Sequence, residues 1–520
     1  MAEAALDPPA AAIPGPLRQT IVSITAVTAA VAAVLPGTII NVAIPDIMGS
    51  FGIGQIEAQW LATGFFAAMT ATMLLTDWVV KVFGQRMGLA LSMAIFVAGA
   101  ILGGISPDAD LLILSRVLQG AAAGVVMPLS MLIMFEAFPP SARGLAMGLF
   151  GVGVVLAPAI GPLVGGILID ALGWRYVFYM GVPVASLAIL LALMVLPGRQ
   201  EKGPPPGFDW IGFALLAAFL VALLTGLSNG QIDGWSSEAS FWRFAAALAA
   251  GIAFVFWERH VDKPMLDLRL FANTAFSAAS VVAFIFGAGL FGSTYLIPIF
   301  AQTVQGMSAT TAGLLMLPAG VAMAAVFPFG GRLADLVSPG WLCVFGTLVF
   351  AWSCWLTAQV DIGTSFWTFA IWILIGRMSL GILFPALSVA ALAVLPQHLM
   401  AQGSGASNFV RQLGGAFGVN LLAIMLERRS AYHADSLALT QHPGNPATMD
   451  WIGRGMEMAA RAGLGEPQHL PLALYQLGRT VWLQAHMLGF RDGFLITTAA
   501  FLISLLPCLW LVRALSLQRR

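Results

Sequence analysis

The stretch that decides the fold is Leu114-Ser115-Arg116-Val117-Leu118-Gln119-Gly120, because it recurs as Ile375-Gly376-Arg377-Met378-Ser379-Leu380-Gly381 in the second half of the chain. Each copy places an arginine four residues before a glycine inside an apolar run. A charged side chain in a membrane helix costs at least about 2.5 kcal/mol on insertion scales, so such residues are rare and usually functional. The duplication predicts two related halves, each with a buried arginine on one membrane helix.

A second repeat marks the ends of two hydrophobic runs. Leu75-Thr76-Asp77-Trp78, followed by Gly84 and Arg86, is matched by Gly331-Arg332-Leu333-Ala334-Asp335. Both copies carry charge where a membrane helix is expected to reach the surface. Duplicated halves with charge inside the membrane are typical of secondary transporters, which bind their substrate between the halves near the middle of the membrane.

The composition indicates a membrane protein. Hydrophobic residues make up 59% of the 520 positions and charged residues only 9%, whereas about 25% of an ordinary soluble chain is charged. A helix needs roughly 20 apolar residues to cross the ~30 Å hydrocarbon core, and the sequence offers about fourteen such stretches. We therefore predict an all-α polytopic membrane protein with 14 transmembrane helices. The formal net charge of zero argues against nucleic acid as a partner.

The predicted helices fall into groups of six, two and six. The N-terminal six-helix half covers 18–196, a linker with two extra helices covers 197–273, and the C-terminal six-helix half covers 274–520. Residues 1–17 are predicted to be a disordered cytoplasmic tail, and 427–485 a long periplasmic loop. Within this loop 449–462 has helical periodicity and 470–483 is amphipathic, which favours a small helical cap or a docking surface. The predicted spans are near 19–43, 58–80, 87–106, 111–135, 144–169, 175–196, 209–228, 242–258, 274–300, 310–332, 341–359, 366–395, 403–426 and 486–513.

The orientation follows from the positive-inside rule, which counts Lys and Arg near the helix ends. With both termini in the cytoplasm, the three lysines Lys81, Lys202 and Lys263 all fall on the cytoplasmic side. The start of the chain lacks the basic residues and cleavage pattern of a signal peptide. We expect the first helix to act as an uncleaved signal-anchor.

No constellation of residues in the sequence suits catalysis or metal binding. Cys343, Cys354 and Cys508 lie in apolar runs without CxxC or Cys/His spacing, and we interpret them as packing residues. We find no nucleophile paired with a base, no metal-ligand set and no phosphate-binding loop. The chain is therefore not expected to be an enzyme or to need a metal.

Four motifs carry a resemblance to a known family. The strongest is Gly151-Val152-Gly153-Val154-Val155-Leu156-Ala157-Pro158-Ala159-Ile160-Gly161-Pro162-Leu163-Val164-Gly165-Gly166 in the fifth predicted helix, and the others are Thr38–Pro45, Trp174–Tyr176 and Ser407–Gly415. At these residues the chain resembles the fourteen-helix drug:proton antiporter branch of the major facilitator superfamily, EmrB/QacA type. The fifth-helix motif matches the antiporter motif of exporters in that superfamily, and the resemblance covers nearly the whole chain.

The resemblance implies a major facilitator fold with pseudo-symmetric halves and a central site. It implies multidrug efflux and antibiotic resistance, through export of hydrophobic or amphipathic compounds from the cytoplasm by proton antiport and alternating access. The proton is then the coupling ion, and no other cofactor is implied. The resemblance also implies the bacterial inner membrane and, from the 427–485 loop, a periplasmic membrane-fusion adaptor and an outer-membrane channel as partners.

Two departures from the family pattern bear on proton coupling. Pro36 stands where the first-helix motif usually has an acidic residue, and Asp77 and Val82 replace a common glycine and a usual basic residue in the first loop motif. The carboxylates that remain near the membrane are Glu57, Asp77, Glu136, Asp170 and Asp492. The missing acid leaves open an alternative function, an exporter or facilitator of an endogenous metabolite or lipid without proton coupling.

Polar and aromatic residues of the predicted helices form the candidate set for substrate binding or coupling: Asn41, Gln59, Trp60, Arg116, Gln119, Tyr295, Gln302, Arg377, Asn408, Arg411 and Gln412. As a set they suit a mainly apolar pocket with a few orienting groups. Each one alone is better explained by a hydrogen bond between helices. For Arg116, a further alternative is extension of the side chain to the outer surface.

A second set is assigned to gating and bending: Asp77, Arg86, Pro158, Gly161, Pro162, Gly165, Gly166, Arg332 and Asp335. Glycine and proline weaken helix interiors and permit close backbone approach, so the fifth helix is expected to seal and bend between moving halves. The charged residues bracket two inner loops and are expected to hold an inner gate closed. The alternatives are a merely packed interface and ordinary surface ion pairs, worth only ~0–1 kcal/mol.

Overall fold

The computed structural model describes residues 15–199 and 207–518, which form helices joined by short turns, with no β-strand in these two ranges. The helices are α1 (Gly15–Phe51), α2 (Gln55–Thr72), α3 (Thr76–Gly104), α4 (Ala109–Ala137), α5 (Arg143–Leu172), α6 (Tyr176–Tyr179), α7 (Gly181–Val195), α8 (Trp210–Asp233), α9 (Glu238–His260), α10 (Thr274–Thr303), α11 (Ala309–Leu336), α12 (Pro339–Thr357), α13 (Phe366–Leu392), α14 (Met400–Ala438), α15 (Pro446–Arg461), α16 (Glu466–Ile503) and α17 (Leu505–Gln518). Most of the predicted tail and the polar start of the linker lie outside the described residues.

The helices agree with the prediction of fourteen spans. Twelve stretches of the described residues are long and apolar enough to cross a membrane. One of them, Trp60–Gly104, covers 45 residues and contains two crossings that meet at Gly84. The φ of Gly84 is 73°, and a Cβ there would lie 2.6 Å from the backbone nitrogen of Arg199, so only glycine suits this turn. The 30-residue apolar helix α5 adds one more crossing, which confirms the six, two and six arrangement.

The two halves repeat one packing scheme. In the first half α1 packs on α5, α2 packs on α4, and α3 packs on both α4 and α7. In the second half α10 packs on α14, α11 packs on α13, and α12 packs on both α13 and α16. Helices with the same place in each half therefore have equivalent neighbours, which is the pseudo-symmetry that the duplicated arginine motif predicts.

The two ends of the bundle differ in how the halves meet. At the end where α5 begins and α11 ends, here called the closed end, buried residues of both halves form one core that includes Phe150, Phe327 and Phe384. At the opposite end, here called the split end, the core divides. Leu61 belongs to a cluster built from the first half alone, and Phe300 belongs to a cluster built from the second half alone.

The inserted helices α8 and α9 form a hairpin that contacts both halves. Helix α8 packs on α9, on α2 of the first half and on α14 of the second half. Leu223, Leu227 and Ala247 are buried in the hairpin, and Leu413 of α14 packs against them. The hairpin therefore lies beside the junction of the two halves.

The segment 427–485, predicted as a long loop, is largely helical. Helix α14 continues to Ala438, α15 follows, and α16 begins at Glu466. Helix α15 packs on α16 through small residues, since a Cβ on Gly455 would lie 2.9 Å from the Ala473 Cβ. The segment is thus a helical cap at the split end, in agreement with the helical periodicity of its sequence.

Candidate functional site

Arg116 is only 1% exposed although it is charged. Its Nε donates to the Leu61 carbonyl oxygen at 3.0 Å. Nη1 donates to Gln119 Oε1 at 2.8 Å, and Nη2 donates to the Pro36 carbonyl oxygen at 3.1 Å. The guanidinium carbon lies 4.4 Å from the centroid of the Phe65 ring. The side chain is therefore enclosed between α1, α2 and α4 instead of extending to the surface.

Arg377, the counterpart of Arg116 in the second half, is 5% exposed. Its Nη2 donates to Thr294 Oγ1 at 2.8 Å, and its Nη1 donates to the Leu290 carbonyl oxygen at 3.4 Å. Both partners belong to α10, the first helix of the second half. Arg116 likewise reaches the first helix of its own half, so the duplicated arginines make equivalent contacts.

The acceptors that bind these two arginines are neutral. In the described part of the chain neither Arg116 nor Arg377 takes part in an ion pair. Pro36 stands where the family that the chain resembles usually has an acid, and it offers Arg116 only its carbonyl oxygen. Buried charges in proteins are normally paired, so the interior of each half carries a positive charge without a local counter-ion.

A third arginine lies where the two halves meet. Half-buried Arg411 donates from Nη2 to Asn408 Oδ1 at 2.6 Å, and its guanidinium carbon lies 4.9 Å from the centroid of Phe384. Asn408 is 2% exposed and donates to the Ser404 carbonyl at 2.9 Å and to Met131 Sδ, on α4 of the first half, at 3.1 Å. Arg411 is therefore also bonded to a neutral partner.

The remaining residues of the predicted binding set lie in varied environments. Gln119 is 1% exposed, and its Nε2 has no hydrogen-bond partner among the described residues. Gln302 is exposed and donates to the Pro298 carbonyl of its own helix at 3.2 Å. Three members are half-buried: Trp60, Tyr295 and Gln412. Two side chains lie outside those described: Asn41 and Gln59. The structure thus joins Arg116 with Gln119 and Arg411 with Asn408, and places Gln302 on the surface.

Asp335 joins the two halves at the closed end. Its carboxylate accepts the backbone N–H of Gly144 at 2.6 Å and that of Leu145 at 2.9 Å, in the first turn of α5. A carboxylate at a helix N-terminus satisfies N–H groups that have no partner within the helix and interacts favourably with the helix dipole. Among the predicted gating charges, Asp335 makes a direct contact between halves.

The other predicted gating charges have different surroundings. Asp77 forms an ion pair with Lys81, one turn later on α3, at 2.7 Å. Arg86 donates from Nε to the Leu196 carbonyl at the end of α7 at 2.7 Å. These two contacts stay within the first half, and Arg332 is exposed. The assignment of these three residues to a gate stays a prediction.

The glycine-rich helix α5 changes partner along its length. A Cβ on Gly151 would collide with the Phe327 ring of α11, in the other half. A Cβ on Gly165 would lie 2.9 Å from Ile39 Cγ2 of α1, and one on Gly166 would meet no described atom within 4 Å. The first part of the motif thus seals the halves, and the last part does not. The other predicted hinge residues are Gly161, which is buried, and Pro158 and Pro162, whose side chains lie outside those described.

The sequence prediction omitted small residues that bring the halves together at the closed end. A Cβ on Gly144 or on Gly148 would collide with backbone oxygens of α11. Ser404 Oγ donates to the Pro128 carbonyl at 2.8 Å, which links α14 to α4. A signal was present, because Gly144 and Gly148 have the four-residue spacing that places small residues on one helix face.

Among the carboxylates considered for coupling, Asp492 is bonded to a histidine. It accepts from Arg429 Nε at 2.5 Å and lies 2.8 Å from His433 Nε2, where α16 meets α14 at the split end. Both partners lie on the part of α14 that continues into the predicted loop. Three of the other carboxylates are exposed: Glu57, Glu136 and Asp170.

Comparison with known sequences gives consistent matches. The family model described as Major Facilitator Superfamily matches residues 26–419. The Multidrug export protein EmrB of Haemophilus influenzae is 30% identical over 482 residues, which cover 92% of this chain and 93% of that protein. The Fatty acid resistance protein FarB of Neisseria gonorrhoeae is 28% identical over 485 residues, which cover 92% and 93% of the two chains.

Among solved structures, the human organic anion transporter MFSD10 (TETRAN) superposes with a TM-score of 0.59. The match covers 96% of this chain and 100% of that chain, at 15% sequence identity. At this identity the likeness concerns the fold.

Proposed function

The chain belongs to the major facilitator superfamily, and from this premise we propose that it exports amphipathic, preferentially anionic compounds from the bacterial cytoplasm by alternating access. The relatives named as multidrug export proteins confirm the resemblance to the EmrB type and make the chain a multidrug efflux transporter of this superfamily, not an enzyme. The class of substrate, the coupling to protons and the placement in the inner membrane are parts of our proposal.

The observation that carries the preference for anions is the set of three arginines bonded only to neutral partners: Arg116, Arg377 and Arg411. Away from water, a cation without a counter-ion attracts an anion more strongly than it does in bulk solvent. A carboxylate is the natural partner for guanidinium groups, with which it forms charge-assisted hydrogen bonds. FarB, a relative, is named for resistance to fatty acids, which are amphipathic carboxylates.

Alternating access is supported by the contrast between the two ends. With both termini in the cytoplasm, as predicted, the closed end faces the cytoplasm and the split end faces outward. The described conformation is then the outward-facing one, in which substrate leaves the protein. Return to the inward-facing state requires the contacts of α5 with α11 at the closed end to break.

Proton antiport is the coupling that we propose. Chains of Asp, Glu and His side chains form the proton relays of pumps and transporters, and His433 lies against Asp492 at the end predicted to face outward. A competing function is transport without proton coupling, favoured by the hydrogen bond from Arg116 to Pro36, since a backbone carbonyl cannot store a proton as a carboxylate does.

The test of substrate charge is transport into inverted vesicles of two fluorescent dyes with the same hydrocarbon body, one anionic and one cationic. We expect faster transport of the anion, and we expect Arg411→Gln to slow the anion at least about tenfold, because a charge-assisted hydrogen bond contributes roughly 1.5–3 kcal/mol. The matched control is Arg332→Gln, which removes an exposed arginine. Equal transport of the two dyes by the wild type would overturn the anion preference.

Coupling is tested with the same vesicles by imposing or collapsing a pH gradient. If protons drive export, wild-type transport rises with the gradient, and His433→Gln and Asp492→Asn make transport insensitive to it. If the pH gradient does not change the rate of wild-type transport, proton antiport is wrong and the uncoupled alternative takes its place. The charge test and the coupling test are independent, so either part of the proposal can fail alone.

The helical cap is the surface that we propose for a periplasmic adaptor, which would connect the transporter to an outer-membrane channel. The cap exposes large apolar side chains on α15 and α16, including Trp451, Met458, Tyr475 and Trp482. Exposed aromatic and methionine side chains are enriched at protein interfaces. Paired Trp451→Ser and Tyr475→Ser substitutions should reduce co-purification with the adaptor and leave dye transport in vesicles unchanged. Full retention of the adaptor would contradict this assignment.

A further inference from the structure

Two carboxylates meet at the closed end of the inserted hairpin. Asp209 caps the start of α8, where its Oδ1 accepts the backbone N–H of Gly212 and the indole N–H of Trp257, each at 2.9 Å. Glu258 lies in the last turns of α9 and is 3% exposed. Its Oε2 accepts the backbone N–H of Leu266 at 3.1 Å. One oxygen of each carboxylate is therefore bonded to an N–H donor.

The second oxygen of each carboxylate has no such donor. Asp209 Oδ2 and Glu258 Oε1 are buried and lack a hydrogen-bond partner among the described residues. The two oxygens lie beside the same point, since a Cβ on Gly212 would lie 2.8 Å from Glu258 Oε1 and would collide with Asp209 Oδ2. Two ionised carboxylates in such proximity repel each other, and the burial of both free oxygens strengthens this repulsion.

We propose that Asp209 and Glu258 share one proton and form a proton-binding site where the inserted hairpin meets the connector between α9 and α10. The shared proton supplies the hydrogen bond that both free oxygens lack and removes the repulsion between them. It leaves one negative charge on the pair, which the N–H donors of Trp257 and Leu266 stabilise.

The proton site is linked to the closed end through the connector between α9 and α10. Leu266, which donates to Glu258, belongs to this connector, and the neighbouring Met265 carbonyl accepts from Gln402 Nε2 at 3.2 Å. Gln402 lies in the first turn of α14, two residues before Ser404, which binds α4 of the first half. The connector therefore joins the carboxylate pair to the strip of α14 that holds the halves together.

A proton fits this pair better than a metal ion does. Hard cations such as Ca²⁺ and Mg²⁺ take six or more oxygen ligands, and Zn²⁺ takes at least three protein ligands. No cluster of three or more metal-binding side chains occurs in residues 15–199 and 207–518. Two buried carboxylate oxygens that both lie within 2.8 Å of one point match the needs of a single shared proton.

Charged groups of both signs surround the pair. Asp267 of the connector adds a further negative charge near Glu258. A cavity of about 290 Å³ beside Asp209 is lined by charged residues of α3 and of the connector: Asp77, Lys81, Asp262, Lys263 and Asp267. Arg259 and His260, which follow Glu258 on α9, are exposed. The surrounding charges thus nearly balance, and the mutual repulsion of the two carboxylates favours binding of the proton, which occupies the site at low pH and leaves as the pH rises.

The direct test is infrared difference spectroscopy of the full-length protein in lipid nanodiscs, which detects the C=O stretch of protonated carboxyl groups. We expect a protonated carboxyl band at neutral pH that disappears in Glu258→Gln and in Asp209→Asn. The matched control is Asp262→Asn, which alters an exposed neighbouring acid and should keep the band. The same band in wild type and Glu258→Gln at every pH would overturn the proposal.

A second test measures hydrogen exchange of the connector amides. The side-chain amide introduced by Glu258→Gln can donate to Asp209 Oδ2 at any pH, so this variant should keep the Leu266 amide protected where the wild type loses protection. We expect at least about tenfold faster exchange in the wild type at high pH, compared with Glu258→Gln at the same pH. Equal protection of the two proteins across the pH range would overturn the proposal. Neither test depends on transport or on its substrate.

Discussion

The closed end and the split end are built from the same helices but join their residues differently. Between the halves at the closed end, backbones approach at Gly144 and Gly148, and the polar links come from Asp335 and Ser404. At the split end each half packs large aromatic rings within itself. The Phe300 ring lies 5.6 Å from Phe369 and 5.3 Å from Phe490, measured between centroids, and all three belong to the second half.

This difference shows how one chain can have two stable halves and a separable interface. Large buried side chains are costly to separate, so each half stays intact when the halves move. Small residues and hydrogen bonds at the closed end bring the two backbones into close contact beside the apolar core that the halves share there. Aromatic contacts cross the closed end: the Phe327 ring packs against Gly151 of α5, and the Phe150 and Phe384 rings stack with their centroids 6.4 Å apart.

The largest loss of stability is expected from a Phe→Ala substitution, made once at the closed end and once at the split end. Phe300 and Phe327 are 0% and 2% exposed, so Phe→Ala should cost about 3–5 kcal/mol of stability at either position. Only Phe327→Ala should also separate the halves at the closed end, because Phe300 has its ring partners within one half. Thermal unfolding in detergent measures the first effect, and distances between spin labels on α5 and α11 measure the second. If Phe300→Ala changed the distances between α5 and α11 as much as Phe327→Ala does, the contrast between the two ends would be wrong.

A smaller effect is expected when a methyl group is added to the interface. The Cβ of Gly144→Ala would meet the Gly331 carbonyl oxygen, and forced overpacking costs typically 1–3 kcal/mol. We expect the population of molecules closed at this end to fall about 5- to 150-fold, as seen in the spin-label distances. Gly166→Ala, on the same helix but facing open space, is the control and should leave the distances unchanged. Loss of closure in the control would mean that helix bending, not contact, decides the equilibrium.

The smallest change in the population of closed molecules is expected when the negative charge of Asp335 is removed. Asp335→Asn keeps the side-chain shape but weakens the interaction with the N-terminus of α5, worth typically 0.3–1 kcal/mol. The closed population should fall about two- to fivefold, and less at high salt, where the charge is screened. Arg332→Gln, three residues earlier on α11, should have no effect. A large effect of Arg332→Gln would revive the prediction that both charges act in the gate.

Most of the fold could be predicted because the membrane leaves few solutions. Backbone groups must be satisfied within each span, so apolar length alone locates the helices, and the repeated arginine motif indicates that the halves are related. In the segment 427–485 the helical periodicity indicated a small cap, but the sequence did not show that α14 and α16 continue unbroken beyond the apolar stretches. Hydropathy does not report where a helix ends once it has left the membrane.

Less of the candidate site could be predicted, because contacts depend on how each helix is rotated. The motif that contains Arg116 showed that an arginine is buried, but not that its partners are the backbone carbonyls of Leu61 and Pro36. The sequence showed that Pro36 stands where the family usually has an acid. It could not show that the Pro36 carbonyl oxygen accepts from Arg116, because every residue has such an oxygen. Likewise, no spacing rule joins Asp209 to Glu258, because the α8–α9 hairpin brings them together.

The length of α16 sets a mechanical property of the cap. Its 38 residues correspond to about 57 Å of helix, well beyond the ~30 Å hydrocarbon core. Tyr475 and Trp482 thus stand on a rigid column whose base is embedded in the bundle. Each residue inserted into α16 between the bundle and Tyr475 would move the apolar side chains of the cap about 1.5 Å further from the bundle and rotate them by about 100° around the helix axis. The direction in which these side chains point can therefore change only in steps of one residue.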